Sequence, residues 1–166
     1  GDNTIVSVSY KNLSAELSEG DKVLVNNGLL VFTVLETNET DIVCKVIEGG
    51  VISNRKSMSF PGKVMNQVYL SEQDKKDILF GVQNDVEYIA LSFVSNVQDV
   101  LDVKNYILEN NNGKIDIGLI AKIENRAGIE NIEEICSVCD GIMIGRGDLG
   151  VEIPFEEVPA IQKHPI

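Results

Sequence analysis

With 166 residues, 43% of them apolar and 24% charged, the chain can build one medium domain or two small ones with real cores and is too apolar for a disordered segment. Its formal charge of -12 weighs against nucleic-acid binding, which needs surplus Lys and Arg to neutralise phosphates, so any phosphate handled here calls for metal ions. No run approaches the roughly 20 apolar residues of a membrane span, and Gly1-Asp2-Asn3 lacks the basic and apolar regions of a signal peptide, so a soluble cytoplasmic protein is expected.

In chain order, the first 62 residues read as a compact all-β module. Strands are expected over Val23 to Val25, Leu29 to Leu35 and Ile42 to Ile47, separated by Asn26-Asn27-Gly28, Thr37-Asn38-Glu39-Thr40 and Glu48-Gly49-Gly50. Asn-Gly and Gly-Gly between β-branched runs are hairpin signals, because both residue types accept the positive φ of tight turns. Ser59-Phe60-Pro61-Gly62 ends the module, since Pro cannot donate to a ladder.

From Ser71 the period changes from two to about 3.6. Ser71-Glu72-Gln73-Asp74 is a candidate N-cap for a helix running to about Val82. There follow a strand over Tyr88 to Phe93, a helix over Val97 to Glu109 that ends in Asn110-Asn111-Asn112-Gly113, and a strand over Ile115 to Ile123. A helix over Ile129 to Val138 and a strand over Gly141 to Ile144 complete the pattern. Alternation of this kind implies parallel strands with helical crossovers. The expected class is therefore α/β: residues 63–166 form a partial (β/α)8 barrel of about three units, with about five missing.

In such a barrel, catalytic groups sit at the C-terminal ends of strands. Three polar clusters fall there: Ser92-Phe93-Val94, Ala121-Lys122-Ile123-Glu124-Asn125, and Gly145-Arg146-Gly147-Asp148-Leu149-Gly150. Lys122 and Glu124 are one residue apart in an extended segment, so they emerge on the same face, as a simple ion pair or as part of a site. With Asp148, Glu124 would give a hard cation such as Mg2+ two carboxylates, the shell being completed by substrate oxygens and water. The glycines around Asp148 would let backbone N–H groups approach an anion, although the segment also suits a plain strand-to-helix turn. Asp148 stands where a dinucleotide pyrophosphate would be repelled, so the segment does not read as a dinucleotide fingerprint.

Three cysteines do not make a disulfide framework, which fits a reducing compartment. Cys136 and Cys139 form a C-x-x-C pair. It follows a helical stretch and runs into a strand, whereas a thioredoxin-type pair opens a helix after a strand. Zinc would need two further soft ligands, and only Cys44 and His164 remain.

The segments Ala121 to Asn125 and Cys139 to Pro154, together with Asn26-Asn27-Gly28-Leu29, Phe60-Pro61-Gly62, the Ser71 to Asp77 helix and Ala90-Leu91-Ser92-Phe93-Val94, resemble the pyruvate kinase family in order and spacing over nearly the whole chain. The resemblance implies a mobile lid for residues 1–62 and a catalytic barrel segment, strands four to six, for 63–166. It implies phosphoryl transfer from phosphoenolpyruvate to ADP, giving pyruvate and ATP. Lys122 matches the catalytic lysine that contacts the phosphoryl group and steadies the enolate, and Glu124 and Asp148 match the carboxylates holding Mg2+ (or Mn2+). Gly147 and Asp148 also match backbone amides that receive the substrate carboxylate, Ser92 and Phe93 match residues beside the substrate, and Lys56 matches a lid lysine near the nucleotide.

The family's K+ ligands and substrate arginine would precede Gly1, its threonine-bearing strand would follow Ile166, and its full-length members are homotetramers, so this chain alone is expected to be close to inert. Two positions depart from the family pattern. Ser95-Asn96 stands where a basic residue or two is usual, and Ser59 where Asn is usual before Phe60-Pro61. His164-Pro165-Ile166 also breaks from the usual apolar continuation, so His164 is not expected to be a catalyst. The alternatives are an aldolase of the citrate-lyase-like group, which generally lacks both the lysine two residues before the glutamate and the lid, and a non-catalytic binding or structural fragment.

Overall fold

The computed structural model describes residues 2, 4–63 and 65–163. The chain divides into two compact units, Gly1–Asn66 and Gln67–Ile166. The expectation for His164 lies outside the described residues.

In the first unit a one-turn helix α1 (Leu13–Glu16) precedes β1 (Lys22–Val25), β2 (Leu30–Thr37), β3 (Ile42–Glu48) and β4 (Met58–Ser59). The strands form an antiparallel sheet in the order β3-β2-β1-β4. The first turn behaves as its residues require: Asn26, Asn27 and Gly28 take φ of 55°, 58° and 78°, and Val25 pairs with Leu30 across it. Gly49-Gly50 does not close a hairpin. The chain leaves β3 there on a long connection, and β4 returns beside β1. The unit is also not purely β, since Leu13 of α1 packs with Leu17, Val23, Val25, Leu30 and Val34 in its core.

The second unit runs α2 (Glu72–Gln83), β5 (Tyr88–Leu91), α3 (Val97–Asn110), β6 (Gly118–Ile123), α4 (Arg126–Glu130), α5 (Ile132–Cys136), β7 (Gly141–Ile144) and α6 (Arg146–Glu152). A 3-10 turn at Phe155–Glu157 and α7 (Val158–Lys163) follow. The strands form a parallel sheet in the order β5-β6-β7. Two capping boxes set the helix starts, because each satisfies end N–H groups that have no partner within the helix. Ser71 with Asp74 opens α2, and Asn96 with Asp99 opens α3.

The central strand divides the sheet into two faces. Leu119, Ala121 and Ile123 are buried, alternating with partly exposed Gly118, Ile120 and Lys122. The buried side chains pack on Val100, Val103 and Ile107 of α3 and on Ile132 and Ile135 of α5. Each Leu or Ile buried this way contributes about 1.5–3 kcal/mol.

Three expectations are corrected. Strand β6 starts at Gly118, not Ile115, and β5 stops at Leu91 because Ser92 and Phe93 enter a turn. The helix expected over Ile129 to Val138 is two helices. Asn125 starts the first one early by accepting the Gly128 N–H at 2.7 Å, and Asn131 (φ -103°, ψ 14°) breaks the run while its Nδ2 donates to the Ser95 carbonyl at 2.9 Å. Among the described residues no helix is long and apolar enough to cross a membrane.

Candidate active site

The pleat of β6 carries Lys122 to the face away from the helices, and Glu124 follows on the same side just past the strand end. Lys122 Nζ lies 2.7 Å from Glu124 Oε1 and donates to Ser92 Oγ at 3.1 Å. The second carboxylate oxygen, Oε2, accepts the backbone N–H of Phe93 at 2.8 Å. Glu124 is only 2% exposed, so a charge that would be costly to desolvate alone is held by an ammonium and an amide donor.

The Ser92-Phe93 turn is shaped for this purpose. Phe93 sits in the left-handed region (φ 55°), which costs a residue with a Cβ about 1–2 kcal/mol. Its N–H reaches Glu124 while its ring remains about half exposed. Neighbouring bonds fix the turn: the Val94 N–H donates to the Lys122 carbonyl at 3.2 Å, and Ser95 Oγ donates to the Phe93 carbonyl at 3.2 Å. Tyr69 Oη donates to the Ser92 carbonyl at 2.7 Å. Burial first, and then the charges of Asp99, Asp74 and Glu124, push the Tyr69 phenol above the usual tyrosine range, so it remains a donor.

Where the family pattern has a basic residue, this chain uses Ser95 and Asn96 structurally. Ser95 N–H donates to Asp99 Oδ2 at 2.7 Å, Asn125 Nδ2 donates to Ser95 Oγ at 2.9 Å, and Asn96 caps α3.

The third cluster approaches from β7. Gly145 N–H donates to the Ile123 carbonyl at 3.0 Å, and a Cβ on Gly145 would lie 2.5 Å from Glu124 Cγ and 2.7 Å from Oε1. Only a glycine lets this backbone rest against the carboxylate. Helix α6 starts at the next residue, so Gly147 and Asp148 lie in its first turn, where N–H groups lack helical partners. A Cβ at Gly147 would meet nothing within 4 Å, so its place in the motif does not come from crowding.

Among the described residues no three His, Cys, Asp or Glu side chains gather as a metal cage. Glu124 and Asp148 are oxygen donors of the hard kind that a divalent cation takes, one or two at a time, with the rest of its shell left to water and substrate oxygens. A cavity of ≈ 300 Å³ in the same unit is lined by Ile129, Ile132, Ala160 and Ile161 and by none of these residues.

Of the sequence candidates, Ser92, Phe93, Lys122 and Glu124 meet directly, with Gly147 and Asp148 three residues or fewer beyond the glycine that touches Glu124. Lys56 is exposed in the first unit, just after the Asn54-Arg55 turn. Sequence reasoning missed Tyr69 and Gly145 as parts of this site. Tyr69 lies in a loop with no periodicity, whereas Gly145 was visible as a glycine but not as the neighbour of Glu124.

Comparison with known proteins places the whole chain in one family. A family model described as the pyruvate kinase barrel domain matches residues 1–166. The chain is 46% identical over 164 residues to a pyruvate kinase of Clostridium perfringens, covering 99% of this chain and 34% of that protein. It is 44% identical over 160 residues to one of Geobacillus stearothermophilus, covering 95% and 27%. The crystal structure of a pyruvate kinase from Cryptosporidium parvum superposes with a TM-score of 0.85 at 41% identity, covering 93% of this chain and 32% of that one. The chain thus spans 27–34% of the length of these curated relatives.

Proposed function

Because this chain belongs to the pyruvate kinase family, we propose that it carries the phosphoryl-transfer centre of a pyruvate kinase, moving phosphate from phosphoenolpyruvate to ADP in the cytoplasm. The observation that carries the reading is the Lys122–Glu124 pair, held at 2.7 Å on the open face of the sheet and backed by Gly145. In this reading the second unit is a three-stranded part of a (β/α)8 barrel, the first unit is its lid with Lys56 serving the nucleotide, and the complete enzyme is a homo-oligomer.

Lys122 is the catalytic residue. Its fixed charge answers the negative charge that grows on the enolate oxygen as phosphate departs, and such preorganised charge acts mainly on the transition state. Ser92 and Phe93 border the substrate, and the N–H groups of Gly147 and Asp148 receive its carboxylate. Glu124 and Asp148 would hold Mg2+ or Mn2+, which when bound supplies charge neutralisation between carboxylates and phosphate oxygens. The aldolase alternative gains no support from the relatives, which carry the pyruvate kinase name.

The test is a graft of residues 1–166 in place of the matching segment of the Clostridium perfringens relative. The graft is expected to form pyruvate from phosphoenolpyruvate and ADP. Lys122→Met in the graft lowers kcat by about 10²–10³ or more with a smaller effect on KM. A folded graft whose Lys122→Met variant loses tenfold or less would reduce Lys122 to a structural ion pair.

A further inference from the structure

Cys136 and Cys139 have no part in the site above, yet the fold brings them onto one tight turn. Cys136 is the last residue of α5 and is exposed, and Cys139 is half-buried against the core of the second unit. Between them Ser137 keeps helical angles (φ -68°, ψ -17°) and donates its N–H to the Glu133 and Glu134 carbonyls. The Val138 N–H then bonds the Ile135 carbonyl at 3.1 Å. The far side is clamped, since the Asp140 N–H donates to the Leu119 carbonyl at 2.9 Å and Asp140 Oδ2 accepts the Leu119 N–H at 2.8 Å.

Residues three apart across such a turn have Cα atoms within about 7 Å, inside or close to the roughly 4.4–6.8 Å that a disulfide accepts. Burial first, and then the charge of Cys136, hold the Cys139 thiol above its usual range, opposed by hydrogen bonds with the backbone of Gly141 and Ala121. The surroundings are acidic, with Glu130, Glu133, Glu134 and Asp140 all exposed.

We propose that Cys136 and Cys139 form a vicinal dithiol site that closes to an intramolecular disulfide on reaction with small cationic disulfides. Exposed Cys136 attacks as its thiolate, forming a mixed disulfide and expelling one thiolate of the reagent. Cys139 then attacks the Cys136 sulfur and expels the second. Two protein thiols are oxidised, one reagent disulfide is reduced to two thiols, and the two protein protons end on them.

This is not a thioredoxin-type centre. The pair follows α5 and precedes β7, whereas a thioredoxin-type pair opens a helix after a strand. The exposed carboxylates around the pair favour a cationic reagent over an anionic one.

The test uses cystamine on the full chain. Trypsin releases Cys136 and Cys139 on one peptide, Ala127 to Arg146, apart from Cys44 on Val23 to Lys45, so mass spectrometry reads the pair separately. The expected product is the 127–146 peptide lighter by two hydrogens, with no adduct, formed faster in the folded chain than in urea and faster than with anionic glutathione disulfide. Cys139→Ser is expected to stop at an adduct on Cys136. An adduct that stays open in the wild-type chain, or closure no faster folded than unfolded, would overturn the proposal. Equal rates with both reagents would overturn its choice of a cationic disulfide. If the serine variant fails to fold, the comparison of folded and urea-unfolded wild-type chain decides alone.

Discussion

Replacing Lys122 with Met removes the ammonium paired with a carboxylate that is almost wholly buried. Removing one member of a buried ion pair costs about 3–5 kcal/mol, because the other charge is left uncompensated. Lys122 keeps 24% of its side-chain exposure and Glu124 only 3%, so solvent recovers part of the loss and the expected cost is about 2–3 kcal/mol. For a unit of this size that lowers its melting temperature by about 10–20 °C.

The assay is calorimetry of three chains: wild type, Lys122→Met, and Lys122→Met with Glu124→Gln. The double variant is expected to regain most of the loss, since the Gln carbonyl can still accept the Phe93 N–H and no unpaired charge remains. A single variant within about 0.5 kcal/mol of wild type, or a double variant no better than the single, would mean that Glu124 is not the buried, lysine-compensated charge described above.

Three further outcomes are expected. Gly145→Ala drives a Cβ into Glu124 and should cost about 1–3 kcal/mol, with faster hydrogen exchange at the Phe93 amide; unchanged exchange there would contradict the close approach. Tyr69→Phe deletes the bond to the Ser92 carbonyl at a cost of about 1 kcal/mol and should loosen the amides of residues 92–94 but not those of α2; uniform exchange across the unit would refute a local role. Burial raises the carboxyl of Glu152 above the usual range, partly opposed by Arg126, so its neutral form favours the fold, and that contribution is lost as pH rises through the raised value. Glu152→Gln should therefore match wild type in urea unfolding at acid pH and exceed it at neutral pH, and an equal difference at both would show that ionisation is not involved.

Much of this architecture was legible because local chemistry and global packing agree. The Asn-Asn-Gly turn, the Ser71 cap and the 3.6 period of α3 each specify an element without help from the rest of the chain. The misreadings came where a distant partner decides. Strand β4 is two residues long and exists only because β1 offers it an edge. The break at Asn131 depends on the Ser95 carbonyl, 36 positions away. In the site, the shared face of Lys122 and Glu124 follows from strand alternation. The Phe93 amide and the Gly145 contact arise from chain segments that meet only after folding.

The alternation along β6 has a consequence for folding as well as chemistry. A parallel strand that slipped by one residue would exchange its two faces, carrying Lys122 in among Val100, Val103 and Ile135 and turning Leu119, Ala121 and Ile123 outward. An ammonium buried among those apolar side chains would be costly to desolvate, so the slipped pairing is penalised twice, by the lost apolar contacts and by the buried charge. Lys122 therefore acts as a registration mark for the central strand, and a neutral residue at that position would relax the chain's choice of alignment before any substrate is involved.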